Sequence, residues 1–430
     1  MKKLLTAVLL LTVMLSLSAF GQKTKWSYVN TFPIGASLNY QVHGLAVDGA
    51  GKLWVQTYGI VPGDSIFDVA RGANRGTRAI RVYNGDGSLV TKFQIVQGAG
   101  VNDTLYNPGL GLRTGPTGDV YLSTTGIFYK VNYKTYAAIG KVIANAGNSL
   151  CAVGVDTLDE VFVSSVGENF PVKIYDGTSF SFLGNMLDTA VAFGRSMNVS
   201  KDGNEVYHTR FTTNSLHFHC DLGTIGPYVV ADTILSGLRI ESSEWNTRDG
   251  LIYLSSGSLG GGYPAIGYTN QAWFGYDPAT KTIKDSLVWD STAVPGDCRP
   301  RAITFSRSGD TAWVGQFGSG GIPGLQMFVR TIVGVEPVDN AIPSGYALTQ
   351  NYPNPFNPTT EIQFTIMKSG FTTLKVYDLL GKEVVTLVNE NLNPGTFKST
   401  INGSNLASGT YIYRLVSGTT VITKKMMLLK

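Results

Sequence analysis

The sequence predicts an all-β protein: a six-bladed β-propeller followed by a small Ig-like β-sandwich. Three observations predict it. A short strand–turn–strand unit recurs through most of the chain. Glycine is abundant, at 51 of 430 residues, while charged residues make up only 15%; tight hairpin turns need the positive φ that glycine supplies. Beyond residue 345 the pattern changes to closely spaced strands of a different kind.

The recurring unit is clearest at residues 44–56 (GLAVDGAGKLWVQ). It reads as an apolar strand, an Asp/Gly turn and a second apolar strand with an aromatic in its middle. Residues 111–123, 152–164, 196–209, 243–255 and 302–315 repeat it, with Trp54, Tyr121, Phe162, Tyr207, Tyr253 and Trp313 as the aromatics. A β unit returning every ~40–50 residues is how a propeller is written in sequence. A third strand follows in each repeat, at 80–84, 127–132, 172–176, 215–221, 272–277 and 325–330, and a fourth in most, such as 89–96 and 282–288. Four-stranded sheets cannot bury both faces alone, whereas stacking them in a ring does. Residues 26–34 (WSYVNTFPI) read as a lone strand placed to complete the last blade.

Residues 1–21 have the parts of a signal peptide: Lys2 and Lys3, an apolar run over 4–17, and small Ala19 and Gly21 before Gln22. The run is shorter than the ~20 residues of a spanning helix, so no transmembrane segment is expected in the mature chain. The propeller is expected over 22–335. The formal charge of +4 falls to about +2 when Lys2 and Lys3 leave. With no Lys/Arg cluster, this excludes an electrostatic nucleic-acid footprint. Cys151, Cys220 and Cys298 are odd in number and widely spaced, which suits neither a disulfide framework nor a zinc set. Buried thiols are expected, with one pairing left open.

Residues 336–345, containing PVDNAIP at 337–343, read as a linker. The stretch 346–430 carries short strands at 361–366, 371–377, 383–387, 395–401, 409–416 and 421–428, an Ig-like size and spacing. Within it stand LTQNYPNPFNPTT (348–360), LKVYDLLGKEVV (374–385), LASGTYIY (406–413) and VITKKMMLL (421–429). In this order they resemble the C-terminal sorting domain of the bacterial type IX secretion system, and are also similar to the Ig-like domain of flagellar hook-capping proteins. The resemblance implies an export address, read by the type IX secretion machinery at the outer membrane after passage through the periplasm. It implies removal of the address, with cargo released or attached to the cell surface. The residues that carry it are Asn351, Tyr352, Pro353, Asn354, Pro355, Phe356, Asn357 and Pro358, with Lys424 and Lys425 in the final strand. The prolines fix an extended segment and the asparagines favour turns.

Little else suggests chemistry. His217 and His219 share one face of a strand, Cys220 follows, and His208 is the nearest third ligand; strand histidines are expected here, with no metal and no cofactor. The Asp/Gly turns at 84–87 and 200–204 lack the acidic spacing of a calcium loop. The stretch GSLGGG (257–262) lacks the lysine and helix of a phosphate loop. Ser255, Ser256 and Ser258 lack a nucleophile elbow.

One constellation follows from the fold. Aligning the repeats places His43, Gly109, Cys151, Arg195, Glu241 and Arg301 where the chain passes into each innermost strand. The chargeable members, His43, Arg195, Glu241 and Arg301, form a candidate ligand-binding set at the channel mouth. They are expected as solvated charges worth only ~0–1 kcal/mol each. Long loops at 57–79, 256–271 and 315–324 should wall the same mouth, carrying Arg71, Arg75, Arg78, Tyr263, Tyr268 and Phe317. The reading is a secreted or cell-surface binding or scaffold module for a glycan, peptide or partner protein. The alternative is an extracellular enzyme, a lactonase-like hydrolase or polysaccharide lyase, acting at that mouth through residues the sequence does not single out.

Overall fold

Short apolar strands joined by glycine turns build the fold, and the computed structural model contains strands and no helix among the described residues. Those residues are 23–33, 41–109, 111–145, 147–190, 193–221, 226–257, 266–291, 299–317, 325–333, 336–339, 343, 345–403 and 406–430. The signal segment, Cys298 and Tyr263 therefore lie outside them. The chain divides into two units, Lys25–Thr331 and a second that includes Ile332–Lys430.

Among the described residues the first unit holds six four-stranded sheets. Their first strands are Val42–Val47, Gly111–Thr114, Gly154–Val155, Gly194–Val199, Ser243–Trp245 and Pro300–Phe305. Each first strand touches the next, and the last touches the first, so the six close into a ring. In five of the turns from first to second strand a glycine takes the left-handed conformation: Gly51, Gly118, Gly203, Gly250 and Gly309, with Asp159 in the sixth. The recurring sequence unit is thus a hairpin whose turn needs positive φ. The acid of the turn helps to shape it. Asp48 Oδ1 accepts from the backbone N–H of Ala50 (2.8 Å) and Lys52 (3.0 Å), and its Oδ2 from Trp54 Nε1 (2.8 Å). The six second-strand aromatics are all buried. Several pack between sheets: Tyr253 of the fifth meets Phe305 of the sixth at 4.9 Å.

The sixth sheet is completed by the N-terminal strand Lys23–Thr31, which pairs outside Leu325–Val333. Phe32 N donates to Leu325 O at 3.1 Å. Trp26 anchors the strand. Its Nε1 donates to Tyr253 Oη (3.2 Å) and Asp285 Oδ2 (3.1 Å), and Arg330 stacks over its ring at 5.3 Å.

Two expectations are corrected here. The fourth strand of the first sheet ends at Phe93, and a separate hairpin, Ile95–Gly98 with Val101–Thr104, comes after it. The 57–79 loop is also structured in part, by the hairpin of Ser65–Asp68 with Ala73–Gly76.

In the second unit two four-stranded sheets share one core of Ile362, Phe364, Ile366, Leu374, Val376, Tyr413 and Leu415. Strict alternation puts these side chains inward, as in Gly395–Asn402. The expected linker is partly wrong. Glu336–Asp339 is a strand that pairs with Gly395–Asn402, with Pro337 opposite Phe397. Proline is tolerated because this is the sheet's edge.

Candidate functional site

The leading ends of the first strands meet at one mouth of the ring, and four of the singled-out residues meet there. Glu241 is the centre. Its Oε2 receives Arg301 Nη1 and lies 3.0 Å from Arg195 Nε; its Oε1 accepts from Arg299 Nε at 2.7 Å and from Arg299 Nη2. His43 lies beside them between two aromatic rings, 4.7 Å from Tyr58 and 5.1 Å from Phe317. The guanidiniums stack on aromatics as well. Arg195 lies 3.9 Å from the Phe211 ring centre and Arg301 4.9 Å from that of Phe317, while Arg299 lies within 6 Å of both.

Burial sets the electrostatics. Glu241 is only 4% exposed and Arg301 8%, so the expectation of solvated charges is overturned: closing the ring turns the strand ends inward. Burial alone would raise the Glu241 carboxyl, but Arg301, Arg195 and Arg299 together hold it below its ordinary value. Burial pushes His43 well below its ordinary value, and the same three arginines push it further. His43 is therefore neutral, and the cluster carries three positive charges against one negative. His43 Nε2, Ser242 Oγ and Arg301 Nε are buried without a hydrogen-bond partner. This mouth thus combines surplus positive charge with unused polar atoms.

The other two aligned positions carry no charge. A Cβ at Gly109 would fall 1.6 Å from Gln56 Nε2, so the backbone there presses on that side chain. Cys151 is buried and reduced, and burial pushes its thiol up to about 12. Of the loops, Tyr58 and Phe317 open onto the mouth, while 258–265 and 318–324 lie outside the described residues. Sequence reasoning missed Arg299, Phe211 and Tyr58. Arg299 stands just before the strand Pro300–Phe305, outside its alternation, so only its nearness to Arg301 in sequence pointed to it.

The histidines do not gather. His217 and His219 both contact Glu205, His219 also reaching Asp221 at 2.8 Å, while His208 lies buried 3.2 Å from Ser164 Oγ. No group of three metal-ligating side chains occurs among the described residues.

In the second unit the Asn/Pro-rich segment lies against the last strand, Thr420–Leu428. Asn354 Oδ1 accepts from Met427 N (2.9 Å), Phe356 N donates to Met427 O (2.9 Å), and Leu429 N donates to Phe356 O (3.0 Å). Asn351 is buried, bonding Thr360 Oγ1 and Pro353 O at 3.0 Å each, while Tyr352 is 82% exposed. Residues 350–429 match the family described as the secretion system C-terminal sorting domain. This part of the chain is a sorting domain. It marks the chain as type IX secretion cargo and implies an encounter with that machinery, and so export to the cell surface or extracellular space. Within the sorting domain Asn354 and Phe356 serve the fold by covering the edge of the final strand, where Lys424 and Lys425 sit in register with Tyr413 and Ile412, and Asn351 pins its own segment to Thr360.

No curated protein matches the chain. Solved structures similar to it include a Dos1 propeller, at 9% identity and TM-score 0.40, covering 71% of this chain and 95% of that one. A chain of a mitotic checkpoint complex is similar at 8% identity and TM-score 0.43, covering 94% of each. A protein of unknown function from Bacteroides caccae is similar at 12% identity and TM-score 0.41, covering 58% of this chain and 85% of that one. Among the described residues no helix is long and apolar enough to cross a membrane.

Proposed function

We propose that this chain is a secreted six-bladed β-propeller that binds a carboxylate-bearing ligand at the leading mouth of its channel. Its C-terminal unit is an Ig-like sandwich that serves as its type IX address. A signal peptide at residues 1–21 delivers it to the periplasm first. The observation that carries the binding reading is the shared carboxylate: three arginines hold one glutamate, leaving two positive charges beside aromatic rings. Arg presents a planar fork of donors that fits carboxylate oxygens in pairs. An incoming carboxylate would be drawn by the positive charge that Glu241 leaves uncancelled, and the neighbouring rings would hold the apolar part of a peptide or glycan.

Calorimetric titration of the full mature chain with oligogalacturonates and acidic peptides tests this. Binding should weaken as salt rises, and Arg299→Ala should lower affinity at least tenfold. Equal binding of neutral counterparts would reject the reading.

A further inference from the structure

The trailing end of the ring, where the first strands turn into the second, holds a cavity of about 540 Å³. That size lies within the ~300–1,000 Å³ of ligand pockets. It is walled by the turns of the first, second, fifth and sixth sheets. Its aromatic lining comes from Tyr133, Trp245 and Phe305, and its hydroxyls from Thr117, Thr247, Thr304 and Ser306. Glu244 supplies a carboxylate to it.

Arg113 closes the channel between the two mouths. From the second sheet its guanidinium reaches across the ring, donating to Val153 O (3.1 Å), Met197 O (3.0 Å), Asn198 Oδ1 (3.1 Å) and Ser243 O (3.2 Å), and pairing with Glu244. The trailing cavity is therefore separate from the arginine cluster, and a ligand could occupy it whether or not the leading mouth binds carboxylates.

The charges lining the cavity are already answered. Arg113 balances Glu244, and both oxygens of Asp48 are engaged, by two backbone donors and Trp54. Arg307 lies at the exposed rim, where its Nη1 donates to Gly49 O; such a charge contributes little. An ionic ligand would find no uncompensated partner inside. Glu244 still has acceptor capacity, because a carboxylate offers about four lone-pair sites and its named partners are Arg113 and the Trp245 N–H. Burial also raises its carboxyl. Trp245 is half-buried and its indole N–H is committed to Val199 O (3.2 Å), so it has only ring surface to offer a ligand. Ring faces beside hydroxyls and a charge-balanced carboxylate fit a molecule that is neutral, flat on one side and rich in hydroxyl donors.

We propose that the trailing mouth binds a neutral saccharide, its ring stacked on Trp245 and its hydroxyls donated to the Glu244 carboxylate. The test is calorimetry of the full mature chain with a panel of neutral disaccharides: maltose, cellobiose, lactose and mannobiose. Thr247 is exposed at the rim, so Thr247→Trp should fold normally and obstruct the cavity beside Trp245; Glu244→Gln turns one of the two acceptor oxygens into an NH2 donor and removes the negative charge. At least one sugar should bind, and both variants should lower its affinity tenfold or more while thermal melts show the Thr247→Trp protein folded. Absence of binding by every sugar, or sugar binding that Thr247→Trp leaves intact, overturns the proposal. So does binding of uncharged peptides in place of sugars, blocked by the same variant.

Discussion

Glu241 shares its carboxylate among three arginines, and the three are not equivalent. Arg301 is the most enclosed, and Arg299 keeps 19% of its side chain exposed. Removing one partner from a buried ion pair costs about 3–5 kcal/mol, because the other charge stays behind in a poor solvent. Two guanidiniums still hold Glu241 in either variant, so both should fall short of that cost in urea unfolding; Arg301→Ala should cost more than Arg299→Ala, because Arg301 is the more enclosed of the two. Equal, negligible costs would show that the cluster is solvated after all. The buried histidines give a second reading at this scale. Burial holds His208 at about 3 and holds His43 far below 6.5. Below pH 6.5 the unfolded chain takes up protons that the folded chain refuses, so stability is present above that value and is lost as pH falls. Each histidine removes up to ~1.4 kcal/mol per pH unit. Glu241, held below its ordinary 4.5, adds a loss only under more acid conditions. Exposed His219 is raised by Asp221 and Glu205 and acts in the opposite sense. Thermal melts from about pH 7.5 to about pH 5 should show a falling Tm, and His208→Gln should flatten it; a level profile in the parent chain would contradict this.

At the scale of elements, closure is the feature that sequence and structure share most fully. Trp26 reaches past its own sheet to Tyr253 and Asp285 of the fifth, so the N-terminal strand ties two sheets together. Deleting residues 23–33 should expose the edge of Leu325–Val333 and drive aggregation, read by light scattering against the parent chain. A monomeric, equally stable product would mean the strand is ornamental. This element was legible because alternation and aromatic spacing are local properties that survive in one dimension. The turn glycines were legible for the same reason. The strand Glu336–Asp339 was not, since Pro337 reads as a breaker until a distant strand, Gly395–Asn402, is there to pair with it. Burial of the Glu241 cluster was equally hidden. The residues could be named from the repeat alignment, but only closure of the ring decides that they face each other rather than water. Arg113 carried no sequence signal, because its five partners come from three other sheets.

For the whole molecule, the address has a hydrophobic core of its own. The strand Glu336–Asp339, ahead of the matched residues 350–429, pairs into the same unit's sheet, so a cut belongs after Val333 and not at residue 345. Ending the chain there should leave the ring folded and export abolished, read by surface labelling and fractionation; surface delivery of the shortened chain would refute the address. Within the address, Phe356→Ala should destabilise the unit by about 3–5 kcal/mol by opening the buried edge of the last strand, whereas Tyr352→Ala should leave folding intact. Carboxylate binding at the leading mouth is the central proposal for this chain. The most direct measurement is a combined glycan and peptide array probed with the mature chain and with its Arg299→Ala variant. Hits for the parent chain should be enriched in carboxylates, and should fall at least tenfold in the variant while Tm stays close to the parent value. Hits that are neutral, or acidic hits that survive the substitution unchanged, would contradict it.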